Sequence, residues 1–197
     1  MSAPFRVALA ASLLAVVSLG CSDNSNNNDP VAGFVVTGTI QNNTGAPLPA
    51  NTRLVLVWGV SSGSPDYSYI FGQGTVDPTA GTFRLQLDQP PPAQALNAGV
   101  LGVGIIVATT NQALGTGDDI EGVPSTDLVG AAGRHGVIFI GPGTVQYREW
   151  AADFDTGYSV GVGVDVVNDF DRFEPTDPSS VVLIIDAIGN IDFVNWT

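Results

Sequence analysis

Lysine is absent from this chain of 197 residues, and all six of its basic residues are arginine. Against 19 acidic residues they leave a formal net charge of −13. Such a polyanion repels phosphate backbones, which excludes nucleic acid as a partner. A P-loop is excluded because its lysine is missing, and Gly102-Val103-Gly104 lacks the third glycine of a dinucleotide-binding turn. Cysteine occurs once, as Cys21, so no internal disulfide can form even in an oxidising compartment. Histidine also occurs once, as His135, which excludes the usual zinc centre built from several His and Cys ligands. Long runs free of both glycine and proline are scarce too. With 24 Gly and 13 Pro, the longest after the N-terminal region is residues 144 to 156. Helical bundles and doubly wound sheets need several amphipathic helices of about 10–15 residues, and this chain has no room for them.

What is present reads as β structure. Hydrophobic residues make up 44% of the chain and charged residues only 13%, enough apolar material to bury a core. Period-two alternation, which sends successive strand side chains to opposite faces, recurs through the chain. Phe83, Leu85 and Leu87 oppose Thr82, Arg84 and Gln86, while Phe34, Val36 and Ile40 oppose Val35, Thr37 and Thr39. Tyr158, Val160, Val162, Val164 and Val166 form one face against Ser159, Gly161, Gly163 and Asp165. Residues 54 to 58, 100 to 108, 137 to 140 and 181 to 185 are apolar on both faces, as strands covered on both sides are. Turn-forming clusters separate these runs, at residues 43 to 49, 77 to 81, 89 to 92, 141 to 143 and 176 to 179. Eight or nine short strands divided in this way predict a single antiparallel two-sheet β-sandwich. Residues 144 to 156 are open to either a short helix or an edge strand.

The N-terminal residues carry a different signal. Arg6 precedes residues 7 to 19, an uncharged stretch shorter than the roughly 20 residues a membrane-spanning helix needs. It ends in Ser18-Leu19-Gly20-Cys21, which resembles the lipobox of bacterial lipoproteins, with Ser18 where that family usually carries Leu. The resemblance implies removal of residues 1 to 20 as an export signal and acylation of Cys21 by palmitate-type chains. With Ser22 and not Asp next in line, it also implies sorting to the outer membrane. Two or more acyl chains give stable attachment where one is marginal. Residues 22 to 29, SDNSNNND, cannot bury apolar area and read as a polar tether. The expected organisation is therefore a signal peptide over 1–20, a lipidated Cys and tether over 21–30, and one β-sandwich domain over 31–197.

Within that domain, residues 34 to 87 run strand, Gly45-Ala46-Pro47-Leu48-Pro49 turn, apolar strand, variable strand, then Asp77 and Gly81-Thr82-Phe83 leading into the alternating run. This order resembles the start of a transthyretin-like or carboxypeptidase-regulatory-like Greek-key domain. The resemblance implies a sandwich fold and no particular activity.

Candidate chemistry is sparse. Gly59-Val60-Ser61-Ser62-Gly63 matches the GxSxG pattern, and His135 with Asp118 or Asp119 would complete a triad. Yet Ser64-Pro65-Asp66 continues a turn instead of starting the helix that such an elbow requires, so a hairpin loop is the preferred reading. His135 reads as a strand-entry residue. Carboxylates gather at Asp118, Asp119 and Glu121, at Asp153 and Asp155, and at Asp165, Asp169, Asp171, Glu174 and Asp177. Calcium takes six to eight oxygens, but the last cluster lacks the mid-loop glycine of an EF-hand and has Phe173 near that point. Solvated loops are the preferred reading, and a calcium-dependent glycan binder is the alternative, with Tyr67, Tyr69, Trp150 and Trp196 as its candidate aromatics. No catalytic residue, cofactor or metal site is assigned; the one site residue is Cys21. The expected role is a non-enzymatic binding or structural module of the cell envelope. Its partners would be the membrane, through the acyl chains, and an envelope protein or glycan.

Overall fold

The computed structural model describes residues 33–60, 67–97, 99–120, 123–143, 149–163 and 172–186. Nine strands form there: β1 (Phe34–Asn42), β2 (Arg53–Val60), β3 (Tyr67–Asp77), β4 (Thr82–Leu87), β5 (Leu101–Thr109), β6 (Leu128–Ile140), β7 (Gly157–Gly163), β8 (Phe173–Thr176) and β9 (Val181–Ile185). Helical structure among the described residues is limited to 3₁₀ turns at Ala93–Ala95, Ser125–Asp127 and Glu149–Asp153. The protein is all-β, as the scarcity of uninterrupted runs requires. The turn at Glu149–Asp153 resolves the open reading of that segment for its second half, and residues 144 to 148 lie outside the described residues.

One sheet contains all nine strands, in the order β5-β2-β3-β4-β1-β9-β6-β7-β8, and β5 also pairs with β6. That last pairing closes β5, β2, β3, β4, β1, β9 and β6 into a seven-stranded barrel. The two-sheet sandwich expected from the sequence is therefore corrected to a closed barrel, with β7 and β8 continuing beyond β6. Its first four strands keep a Greek-key order, β2-β3-β4-β1. Two long-range contacts decide closure. Antiparallel pairing of β5 with β6 runs from Leu101 opposite Ile140 to Thr109 opposite Leu128. Strand β9 then inserts between β1, parallel to it, and β6, antiparallel to it.

Glycine makes that insertion sterically feasible. A Cβ on Gly38 of β1 would collide with the Val181 carbonyl, and one on Gly130 of β6 with the Ile184 carbonyl. Both walls beside β9 are thus bare where its backbone passes. In β3, Gly72 takes φ 107 at a register shift opposite β2, a bulge that bends the strand around the barrel. Strand β6 changes partner along its length: Gly130 and Ala131 pair with β9, and residues 135 to 140 with β7.

The barrel interior is filled with side chains. Val36, Leu54, Leu56, Trp58, Leu85, Ile106 and Leu183 are fully buried or nearly so, with Phe83, Phe139 and Tyr158 beside them. Alternation predicted which residues point inward in β4, whose burial alternates strictly. Tyr158 closes the end where β1 begins. It stacks on Phe34 with ring centroids 5.5 Å apart, meets Phe139 edge-on at 4.9 Å, and donates its hydroxyl to the Gln89 carbonyl at 2.7 Å. Burial raises that phenol far above its usual pKa, so it remains a donor.

Three of the four doubly apolar runs are covered by two satellite cores outside the barrel, while Val182 and Ile184 of the fourth stay half-buried. Val55, Val57, Ile70 and Val107 pack under the β5–β6 connection with Leu114, Ile120 and Leu128. Leu101, Ile138 and Ile140 pack under Trp150, Ala151, Phe154 and Phe173. Arg53 fastens the first of these covers. Its Nε and one terminal nitrogen donate to the Asn111 carbonyl at 3.1 and 2.9 Å, the same terminal nitrogen reaches the Leu114 carbonyl, and the other reaches Gln73 Oε1 at 3.1 Å.

Candidate functional site

On the outer wall, near the β3–β4 turn, a groove of about 450 Å³ is lined by Thr37, Gly38, Thr39, Thr75, Asp77, Thr82, Phe83, Arg84 and Ser179. Its floor follows from strand register. Thr75, Arg84 and Thr37 stand in one row across β3, β4 and β1, and Asp77, Thr82 and Thr39 in the next. Because strand side chains alternate, the residues that leave Phe83 and Leu85 facing the core put Thr82 and Arg84 on the outside. Ser179 walls the groove from the β8–β9 turn, where Asp177 Oδ1 accepts both the Ser179 N–H and its hydroxyl at 2.8 Å. Those two bonds hold the exposed Asp177 carboxyl below its ordinary pKa.

Arg84 is the basic group of the groove, and its direction is set by neighbours along β4. Its terminal nitrogen donates to Gln86 Oε1 at 3.1 Å, and Gln86 Nε2 donates to Asp88 Oδ1 at 2.8 Å. Asp77 Oδ1 accepts the Thr79 and Ala80 N–H groups at 3.0 and 2.9 Å, closing the turn. The groove thus presents a guanidinium, several hydroxyls and one carboxylate on paired, rigid strands. Sequence alternation placed Thr37, Thr39, Thr82 and Arg84 on outward faces. It carried no sign that three strands would bring them together.

Among the described residues, the sequence-derived candidates do not converge. Cys21, Ser61, Glu121, Asp165, Asp169, Asp171 and Trp196 lie outside the described residues. His135 sits in β6 opposite Val162, half-buried, and its Nδ1 has no hydrogen-bond partner among the described residues. Burial, and secondarily the adjacent Arg134 charge, lower its pKa. Asp118 is fastened elsewhere: its carbonyl accepts the Ile70 N–H of β3 at 3.0 Å, and its Oδ2 accepts the Gly115 N–H at 2.7 Å. Asp118 Oδ2 is thus engaged within its own turn while His135 Nδ1 has no partner among the described residues, so the two do not form a hydrogen-bonded pair.

Two of the other described carboxylates have a local partner. Asp153 and Glu174 each lie 3.9 Å from Arg172. Among the described residues, no group of three or more His, Cys, Asp or Glu is placed to hold a metal ion. Trp150 is only 8% exposed, since it packs edge-on against Phe154 and Phe173, so it offers no aromatic surface to a ligand. Tyr67 and Tyr69 stand on β3 opposite Val60 and Trp58. The chain matches no protein-family model, no curated protein and no solved structure.

Proposed function

We infer that this protein is a non-enzymatic binding module of the bacterial envelope, moored to the outer membrane by acyl chains on Cys21. The first described residue, Gly33, sits beside Asp88 at the end of the barrel closed by Tyr158. The observation that carries this reading is where the groove lies relative to Gly33. Thr39 is six residues along the chain from Gly33, about 20 Å in extended strand, so the hydroxyl-lined wall is turned toward the end remote from Gly33. A membrane mooring at one end and a rigid polar groove toward the other suit capture of a ligand outside the bilayer. A filled barrel interior favours this outer wall over the lumen as the place of binding.

Metabolic labelling with a palmitate analogue, followed by fractionation of cells expressing the full chain or its Cys21→Ala variant, tests the mooring. Label and membrane retention should both be present in the parent and both be lost in the variant. A parent without label, or a variant that stays in the membrane fraction, overturns the reading.

A further inference from the structure

We propose that the groove on β1, β3 and β4 binds saccharides containing uronic-acid units, with Arg84 receiving the sugar carboxylate and the surrounding hydroxyls the sugar's own. The proposal names the ligand class of the binding module inferred above and rests on that reading.

The floor has two rows of three side chains, Thr75–Arg84–Thr37 and Asp77–Thr82–Thr39. At ordinary strand geometry it measures about 10 Å across the strands and about 7 Å between rows, a surface on which a sugar ring can lie flat. Hydroxyl side chains both donate and accept, which matches a ligand whose surface is mostly hydroxyl. Each end of the grid has its own polarity. Arg84 is anchored through one terminal nitrogen by Gln86 and Asp88, and its Nε and other terminal nitrogen have no partner among the described residues. That arrangement leaves donors of a planar fork in place for a carboxylate, with their orientation already set. Asp77 has only its Oδ1 engaged by the turn, which leaves Oδ2 to accept a sugar hydroxyl and repels a second anion from that side.

Charge narrows the class further. A net charge of −13 disfavours polymers with an anion on every unit, whereas a single uronate among neutral sugars can be neutralised by one arginine. An extended peptide is a poorer match. Strand β4 at the centre of the floor is hydrogen-bonded to β3 and β1 on its two edges, leaving no free edge there for an added strand.

Isothermal titration calorimetry on the full chain, with an oligogalactose carrying one galacturonate unit, neutral oligogalactose and a heparin-type sulfated oligosaccharide as probes, tests the assignment. The uronate-bearing probe should bind with an affinity that falls as salt rises, and Arg84→Gln should weaken it about tenfold or more. Thr75→Val should weaken it less, and neither exposed substitution should move the melting temperature. Undiminished uronate binding by Arg84→Gln, absence of uronate binding, or equal or tighter binding of the neutral or sulfated probe overturns the proposal. If a probe other than the uronate binds and Thr75→Val weakens it, the groove remains a binding site and only the ligand class falls. The membrane mooring is judged separately by the Cys21→Ala fractionation.

Discussion

Replacing Arg53 with Met keeps the aliphatic stem and removes the guanidinium that ties β2 to the β5–β6 connection. Two backbone carbonyls, of Asn111 and Leu114, then lose their charged donor, and Gln73 loses its partner as well. An orphaned carbonyl costs about 1–3 kcal/mol when buried, so two would cost about 2–6 kcal/mol. The site is half-buried and water can reach part of it, which brings the expected loss to about 2–3 kcal/mol. In a domain of this size that is about 5–10 °C in melting temperature. The loss should also be local. Segment 110 to 127 is joined to the barrel by the Gly117 N–H to the Ile70 carbonyl at 2.9 Å, and its two ends are held together by the Thr110 N–H to the Asp127 carbonyl at 2.9 Å. Hydrogen exchange at those two amides should therefore accelerate more than at the interior strands. Arg53→Lys, which keeps the charge but lacks the fork, should recover less than half of the loss. Urea unfolding with amide exchange measures both quantities. A shift of Arg53→Met below about 0.5 kcal/mol, the scale of an ordinary surface change, with unaltered exchange at Gly117, would refute the reasoning.

Gly38→Ala places a methyl 2.8 Å from the Phe83 ring and from the Val181 carbonyl carbon, so β9 must move. Unfolding midpoints should report a loss of about 1–3 kcal/mol, with faster exchange over residues 181 to 185, whereas Gly133→Ala, with no atom within 4 Å, should be neutral or stabilising. Tyr158→Phe keeps the ring contacts and removes the 2.7 Å bond to the Gln89 carbonyl, which should lower stability by about 1 kcal/mol in thermal melts. The folded-state pKa of His135 is depressed below the ordinary histidine value of 6.5, so below that value the unfolded chain binds the proton more readily. Its contribution is therefore complete above about pH 6.5 and is lost as pH falls toward the folded value. Melting temperature followed from pH 7.5 to 5 should fall less steeply in His135→Asn than in the parent, and parallel profiles would contradict this.

Strand identity was legible wherever side chains alternate or run apolar on both faces, because burial alone imposes those patterns. Strand β4 and the inward residues of β1 follow from it directly, as does the burial of residues 54 to 58 on both sides. The first half of β6, Leu128–Ile140, was not legible. Its Gly and Ala residues show no hydrophobic period, since their smallness serves backbone approach at Gly130 and the change of partner from β9 to β7. Strand β8 was hidden for a related reason: Glu174 and Pro175 belong on an edge, where proline is tolerated.

By itself the sequence determined that this chain is all-β, acidic, free of disulfides and well supplied with core, because composition and period are local quantities. Tertiary structure alone decided that the sheet closes into a barrel, that His135 and Asp118 stay apart, and that Arg84 stands among threonines from neighbouring strands. Each of those depends on register between segments distant in the chain. Register is set by how strands pair and where a missing Cβ lets two backbones meet, and no single strand's sequence carries that information.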